Sequence, residues 1–274
     1  MTFAATPRSR SEDRRISPVF WVLLAVFGTS GWAVYSGFGN SSFGVFLFVV
    51  AGWVVSLCLH EYAHARTALH GGDITVGAKG YLTLNPLKYT NVLLSFVLPV
   101  VFVILGGIGL PGGSVWIERS RIQGRLKHSL ISAAGPLVNL VLGAALLIPV
   151  GAGWLDDPGF SMEWNGSAWP WGYTPIACAF AFLGFLQISA ALLNLLPVPG
   201  LDGFGIIEPW LSYGARRSVE PFAPYGLLAV FALLWQPEVR HLFSGAVFGV
   251  MHLFGVTDDN LAALGQVLFR FWES

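Results

Sequence analysis

FGVFLFVVAGWVVSLCLHEYAHARTAL, residues 43–69, joins two kinds of sequence that seldom share a helix. Its first 17 residues, Phe43 to Leu59, carry no charge and are mostly apolar. At 1.5 Å per residue, about 20 such residues cross the hydrocarbon of a bilayer. The remainder places His60, Glu61 and His64 in the same run, near one end of a span but still at membrane depth. A charged carboxylate at the centre of a span costs roughly 2.5–3.5 kcal/mol on insertion scales, so ionisable groups there need partners. His60 and His64 stand one turn apart on one helical face, where both imidazoles can reach a single ion about 2.0–2.1 Å away. Glu61, one step around, borders that face and can take a proton from a water activated by the metal without itself ligating. HExxH alone is a short pattern that arises by chance. Inside a span, a divalent cation is the simplest partner for three ionisable residues, in a catalytic or a structural role.

Composition agrees with a membrane setting. Of 274 residues, 54% are hydrophobic and 11% charged, where soluble domains carry roughly 25% charged residues, and the mean hydropathy is +0.65. Disorder is excluded, and a soluble enzyme of this composition is not expected. A formal net charge of zero argues against a nucleic-acid partner. Cys58 and Cys178 both lie in apolar runs and read as packing residues rather than a disulfide or a cysteine metal site.

Outward from the HExxH helix the chain divides readily. Residues 1–17 are a polar tail with Arg8, Arg10, Arg14 and Arg15, leading into an apolar stretch over about 18–36. A cleaved signal peptide shares that pattern, but no small-x-small cleavage site follows and the run is long for one, so it is read as the first span. The second span, 43–69, is closed by Gly71 and Gly72. Residues 74–84 (ITVGAKGYLTL) mix β-branched residues, glycines and partial alternation, which predicts a short β-like hairpin. The apolar run over about 91–118 is interrupted by Pro99, Gly106, Gly107 and Gly109. Further spans follow at about 130–150 and 176–196, and two shorter apolar pieces at about 224–235 and 242–256 predict a closing hairpin of spans. The expected fold is an all-α polytopic membrane protein with about six transmembrane helices, a re-entrant element and the β-like hairpin. Its parts are a cytoplasmic tail (1–17), a membrane-embedded core (18–215) and a C-terminal helical hairpin and tail (216–274).

Charge sets the expected topology. Loops rich in Lys and Arg stay in the cytoplasm, so the arginine tail and the stretch holding Arg119, Arg121, Arg125 and Lys127 belong inside. The loop 152–173, with Asp156, Asp157 and Glu163 but no Lys or Arg, belongs outside. His60, Glu61 and His64 then fall near the cytoplasmic end of their span. Residues 91–118 must leave and return to one side, which predicts a re-entrant element bent at Pro99 and the glycines; a full span is the alternative. Under this arrangement 14 of the 15 Lys and Arg lie inside and Arg240 alone outside.

Two side-chain nitrogens are too few, because catalytic zinc keeps three protein ligands and one open position. His70, ten residues after His60, matches HExxHxxGxxH, but Thr67 stands where that pattern bends at Gly. Asp202 is the other candidate. It follows a span broken by Pro197 and Pro199, and backbone broken at membrane depth is tolerated only where it lines a cavity. It could instead cap a helix starting near Gly203.

HEYAHA (60–65), GGDITVGAKGYLTLNPLKY (71–89), AAGPLVN (133–139) and NLLPVPGLDG (194–203), in this order, resemble the site-2 protease family of intramembrane zinc metalloproteases, in its compact branch without PDZ or CBS domains. The resemblance covers about residues 43–215. It implies one zinc ion per chain held by His60, His64 and Asp202, with Glu61 as general base. It also implies that Asn139, Asn194 and Asn85 lie near the site as contacts to substrate or oxyanion, and that residues 74–84 accept an extended substrate by strand addition. A basic residue before LTLNP and a His-Ile-Asp-Pro stretch soon after are common in this branch. This chain has Tyr81 and then Tyr89-Thr90-Asn91-Val92, so substrate positioning is expected to differ.

The expected activity is cleavage of transmembrane segments of single-span membrane proteins within the bilayer, in a bacterial plasma membrane with the site towards the cytoplasm. Partners beyond the substrate and the lipid, whether a second copy or a regulatory protein, are not fixed by the sequence. A metal-ion transporter or sensor is the competing class, but it needs polar residues through the full depth of several spans, and here they gather near one end. A silent scaffolding homologue is disfavoured, since three ligands and a base are all present. A reporter fused at Gly112 should read as cytoplasmic; an external reading would replace the re-entrant element with a full span.

Overall fold

The computed structural model describes residues 15–89, 101, 103–104, 115–160, 163–164, 167–168 and 172–273. The expected re-entrant element at 91–118 lies largely outside them. Among the described residues four helices are long and apolar enough to cross a membrane: α1 (Pro18–Ser36), α2 (Ser41–Gly71), α4 (Arg125–Gly151) and α5 (Pro175–Asn194). Between α2 and α4 lies the short α3 (Thr75–Ala78). After α5 come α6 (Asp202–Ile207), α7 (Tyr213–Val219), α8 (Gly226–Leu234), α9 (Pro237–Leu253) and α10 (Asn260–Phe269). A two-stranded antiparallel ribbon pairs Glu163 with Ala168 and Trp164 with Ser167 in the expected external loop.

The long helices begin where the sequence offers caps. Ser17 accepts from the Val19 N–H and Pro18 fills the first position of α1; Asn40 caps α2, and Thr174 with Pro175 starts α5. α2 has 31 residues, about 46 Å at the helical rise, which exceeds a crossing by some ten residues. His60 is its twentieth residue, so the HExxH turn comes at the far side of the apolar stretch.

α5 and α2 are the enclosed centre of the bundle, and α1 is the least enclosed of the four long helices. Helices in lipid gain little from the hydrophobic effect, so close packing at small residues must hold them together. A Cβ on Gly184 of α5 would fall 2.5 Å from the Leu147 side chain of α4, and one on Gly143 of α4 would fall 2.7 Å from Ile188 of α5. This reciprocal pair locks α4 against α5.

Two expectations change. Residues 74–84 form no hairpin: α3 is followed by 3-10 turns at Tyr81–Thr83 and Pro86–Lys88. Gly80 and Leu84 both adopt left-handed backbone, with φ of 75° and 54°, which interrupts an extended run. Tyr81, Leu82 and Thr83 are consecutive and all buried, whereas a strand turns alternate residues to opposite faces. At the C-terminal end, the two expected spans are a bent pair, with Tyr213–Leu234 and Pro237–Leu253 meeting at 97°. Pro237 cannot continue a helix from α8 and instead opens α9 at its first position. The described residues thus hold four candidate spans, or five with the bent pair, in place of about six.

The turn after α2 is organised by Asp73, which is fully buried. Its carboxylate accepts from the Thr75 N–H (2.9 Å), the Thr75 hydroxyl (2.7 Å) and the Glu118 N–H (2.8 Å). Burial pushes its carboxyl up, but those hydrogen bonds and Lys79 outweigh it and hold the pKa below the usual value. A depressed folded pKa contributes stability that is present above the unfolded value and lost as pH falls through the folded one. Asp73→Ala should therefore lower stability by about 1–3 kcal/mol at neutral pH. Thermal unfolding in detergent should show the gap between variant and wild type closing below about pH 4.

Candidate metal centre

Three elements bring the site together. α2 presents His60 and His64 from one face, α6 presents Asp202 from its first residue, and α4 passes across them at Gly135. His60 Nε2 and His64 Nε2 lie 3.1 Å apart, and each is 3.3 Å from Asp202 Oδ2. Tetrahedral ligands about 2.0–2.1 Å from zinc stand about 3.3 Å from one another, so this nearly equilateral triangle has the size of one tetrahedral face.

Hydrogen bonding at the far side of each ring shows which atoms face inward. His64 Nδ1 is 2.7 Å from the Ile131 carbonyl, which can only accept, so Nδ1 carries a proton and, in the neutral ring, Nε2 has the lone pair. His60 Nδ1 is 2.5 Å from Asn139 Oδ1 and stands the same way. With both rings neutral, two imidazole lone pairs and a carboxylate oxygen converge, a donor set that fits a divalent cation. The approach of α4 agrees: a Cβ on Gly135 would fall 2.3 Å from His64 Nε2 and 2.5 Å from His60 Nε2. Glycine leaves that space clear.

Asp202 reaches the histidines because the chain after α5 folds back sharply. Gly200 is left-handed at φ 93°, and a Cβ on Gly203 would fall 2.2 Å from the Leu195 carbonyl oxygen. Ser129 of α4 ties α6 down by donating to the Ile206 carbonyl at 2.6 Å, while Trp210 Nε1 donates to Ser129 Oγ at 2.9 Å. The capping role for Asp202 does not arise. Leu201 is the N-cap residue, no side chain caps α6, and the Asp202 carboxylate is turned to the histidines.

Glu61 is 2% exposed. Its carboxylate takes a hydrogen bond from the Val115 backbone N–H, while Oε2 has no partner among the described residues. A cavity of about 560 Å³ lined by Asp202, Ser132, Phe204, Glu208 and Arg119 reaches the site from the α6 side. Access there agrees with the 23% exposure of the Asp202 side chain, against 6% and 8% for the histidines.

The other sequence candidates lie elsewhere or are already engaged. α2 runs straight through His70, whose exposed ring contacts the Arg66 carbonyl at 2.8 Å; ten helical residues place it about 15 Å along the axis from His60. Asn139 has its carboxamide engaged at both ends, with His60 and with Gln187. Asn194 is the buried last residue of α5. Asn85 spends its side-chain oxygen capping the Leu87 N–H at 3.0 Å. Sequence reasoning passed over Gly135, Ser56 and Gln187. The last two were visible as polar residues inside apolar spans.

The chain is 43% identical over 271 residues to a Mycolicibacterium smegmatis protein named "Putative zinc metalloprotease Rip2", covering 97% of this chain and 98% of that one. The protein of the same name from Mycobacterium tuberculosis (H37Rv) is 41% identical over 266 residues, 96% of each chain. "Putative zinc metalloprotease YwhC" of Bacillus subtilis is 30% identical over 197 residues, 69% of this chain and 81% of that one. No family model matches the chain, and no solved structure matches it significantly. Taken with its apolar helices and the His60, His64 and Asp202 group, this makes the chain a zinc metalloprotease of the membrane. It belongs to the site-2 protease family.

Gly135→Ala should separate site from fold. Alanine favours a helix over glycine by about 1 kcal/mol, so helicity by circular dichroism should hold, while zinc content by mass spectrometry should drop well below one per chain.

Proposed function

We propose that this protein is an intramembrane zinc endopeptidase that cuts transmembrane segments of single-span membrane proteins, as in regulated intramembrane proteolysis. The observation that carries this reading is the triangle of three inward-facing acceptors beside a buried glutamate, with His60, Glu61 and His64 on a helix long and apolar enough to cross a bilayer. His60, His64 and Asp202 would hold one zinc ion. Zinc there supplies Lewis acidity, bringing the pKa of water towards 7 and polarising a scissile carbonyl.

The proton work falls to Glu61. Val115 holds the carboxylate in place, and Oε2 is free to accept a proton from the attacking water and deliver it to the leaving amine. Peptide bonds inside a helix are shielded, so a transmembrane substrate must unwind locally, at a cost of several kcal/mol for each unpaired backbone group in lipid. With residues 74–84 in helical turns, strand addition at that segment is not part of this reading.

Charge segregation supports an orientation in a bacterial plasma membrane with the site towards the cytoplasm. The basic residues Arg119, Arg216 and Arg217 line the cavity that reaches Asp202. The lipid and a single-span substrate are the proposed partners, with a second copy or a regulatory protein as possible additions. An ion path is not favoured, because the charged ligands stand at one level.

Purified protein in detergent should cleave a transmembrane substrate in a zinc-dependent manner. Glu61→Gln should lower the rate by about 10²–10⁴-fold with zinc still bound, and His64→Ala should lose both zinc and activity. If Glu61→Gln is no slower than a distant surface variant, the general-base assignment is wrong.

A further inference from the structure

We propose that Gln187 and Ser56 are positioning residues of the metal centre, which through Asn139 hold His60 in the tautomer that offers Nε2 to the ion. The proposal rests on the metal reading given above.

Four hydrogen bonds run from the ligand to a backbone carbonyl. His60 Nδ1 meets Asn139 Oδ1 at 2.5 Å, Asn139 Nδ2 donates to Gln187 Oε1 at 2.8 Å, Gln187 Nε2 donates to Ser56 Oγ at 2.8 Å, and Ser56 Oγ donates to the Trp53 carbonyl at 2.7 Å. Only one direction is consistent along the whole chain. The Trp53 carbonyl can only accept, so it takes the one proton of the Ser56 hydroxyl. Ser56 Oγ must then accept from Gln187, which has to present its NH2 there and its oxygen to Asn139. Asn139 in turn has to present NH2 to Gln187 and its oxygen to His60. An oxygen at that position accepts only from a protonated Nδ1. A fixed main-chain carbonyl four links away thus sets the direction of the ligand's lone pair.

Placement supports a role beyond adhesion between helices. Asn139 and Gln187 are each 1% exposed and Ser56 3%. The chain crosses from α2 to α4 to α5 and returns to α2, four residues before the histidine it controls. If the Asn139 carboxamide turned over, as a turned Gln187 would demand, an NH2 would face Nδ1, and in the neutral ring the proton would move to Nε2, where it blocks metal binding. Partners that fix a ligating histidine in this way are worth about 10–100-fold in metal affinity.

The test measures zinc affinity of the full chain in detergent micelles by competition with a chromophoric chelator, together with thermal unfolding of the metal-free protein. Gln187→Leu removes the acceptor for Asn139 and should weaken zinc binding by about 10–100-fold. Gln187→Glu still accepts from Asn139, whether its carboxyl is ionised or protonated, and should bind zinc near the wild-type level. In metal-free protein, ring ¹⁵N signals of His60, assigned by their loss in His60→Ala, should show an Nδ1–H tautomer in wild type and Gln187→Glu but a mixture in Gln187→Leu. Equal affinity in wild type and Gln187→Leu overturns the proposal. So does equal weakening by Leu and Glu, which is the mark of packing alone. Should Gln187→Leu not fold, Ser56→Ala carries the test: it frees both carboxamides to turn, and unchanged affinity overturns the proposal. Wild type that fails to bind zinc would instead defeat the metal reading itself.

Discussion

Two imidazole lone pairs and a carboxylate oxygen are held within 3.3 Å of one another, inside helices that otherwise shun charge. Acceptors facing one another at that distance repel, and the two buried imidazoles have little water to screen them. The arrangement is sustained only if the protein fixes each group from behind and leaves room for a cation in front. Much of the architecture can be traced to those two demands. Ile131 and Asn139 hold the outer nitrogens, Gly135 keeps a Cβ out of the centre, and Gly203 lets the chain turn tightly enough to bring Asp202 in.

Each of those supports sits on a different element, so the centre depends on how accurately the elements pack. α4 carries Ile131, Gly135 and Asn139 on one face and must approach both α2 and α5 closely. Reciprocal glycine contacts with α5 set its depth on one side, and Gly135 sets it on the other. α6, though only six residues long, is tied to α4 through Ser129 and Trp210. Glu61 stands apart from this scaffolding, with one carboxylate oxygen unpartnered among the described residues.

A good part of this was legible in the chain. The four long spans follow from unbroken apolar runs with recognisable caps, and His60, Glu61, His64 and Asp202 stood out because ionisable residues are costly in such runs. Elsewhere local signals misled. The alternation in residues 74–84 reads as strand, but a buried Asp73 collects Thr75 and Glu118 at its start, and left-handed Gly80 and Leu84 break the extended run that follows. The C-terminal apolar pieces read as two spans until Pro237 bends them. The resemblance implies Asn139 and Asn85 as substrate contacts; in the structure Asn139 faces His60 and Asn85 caps a turn.

The sequence by itself determined that the chain belongs in a membrane, where its long helices run, and which residue types stand ready to hold a metal, because these depend on apolar run length and on the cost of burying charge. Only the tertiary structure decided that Asp202 rather than His70 closes the triangle, since a straight helix carries His70 away while a glycine-dependent turn brings Asp202 back across 138 residues of sequence from His64. It alone also decided the direction of the hydrogen-bond chain behind His60. That direction is set by a backbone carbonyl meeting side chains from three helices, and no local pattern records which of them will meet.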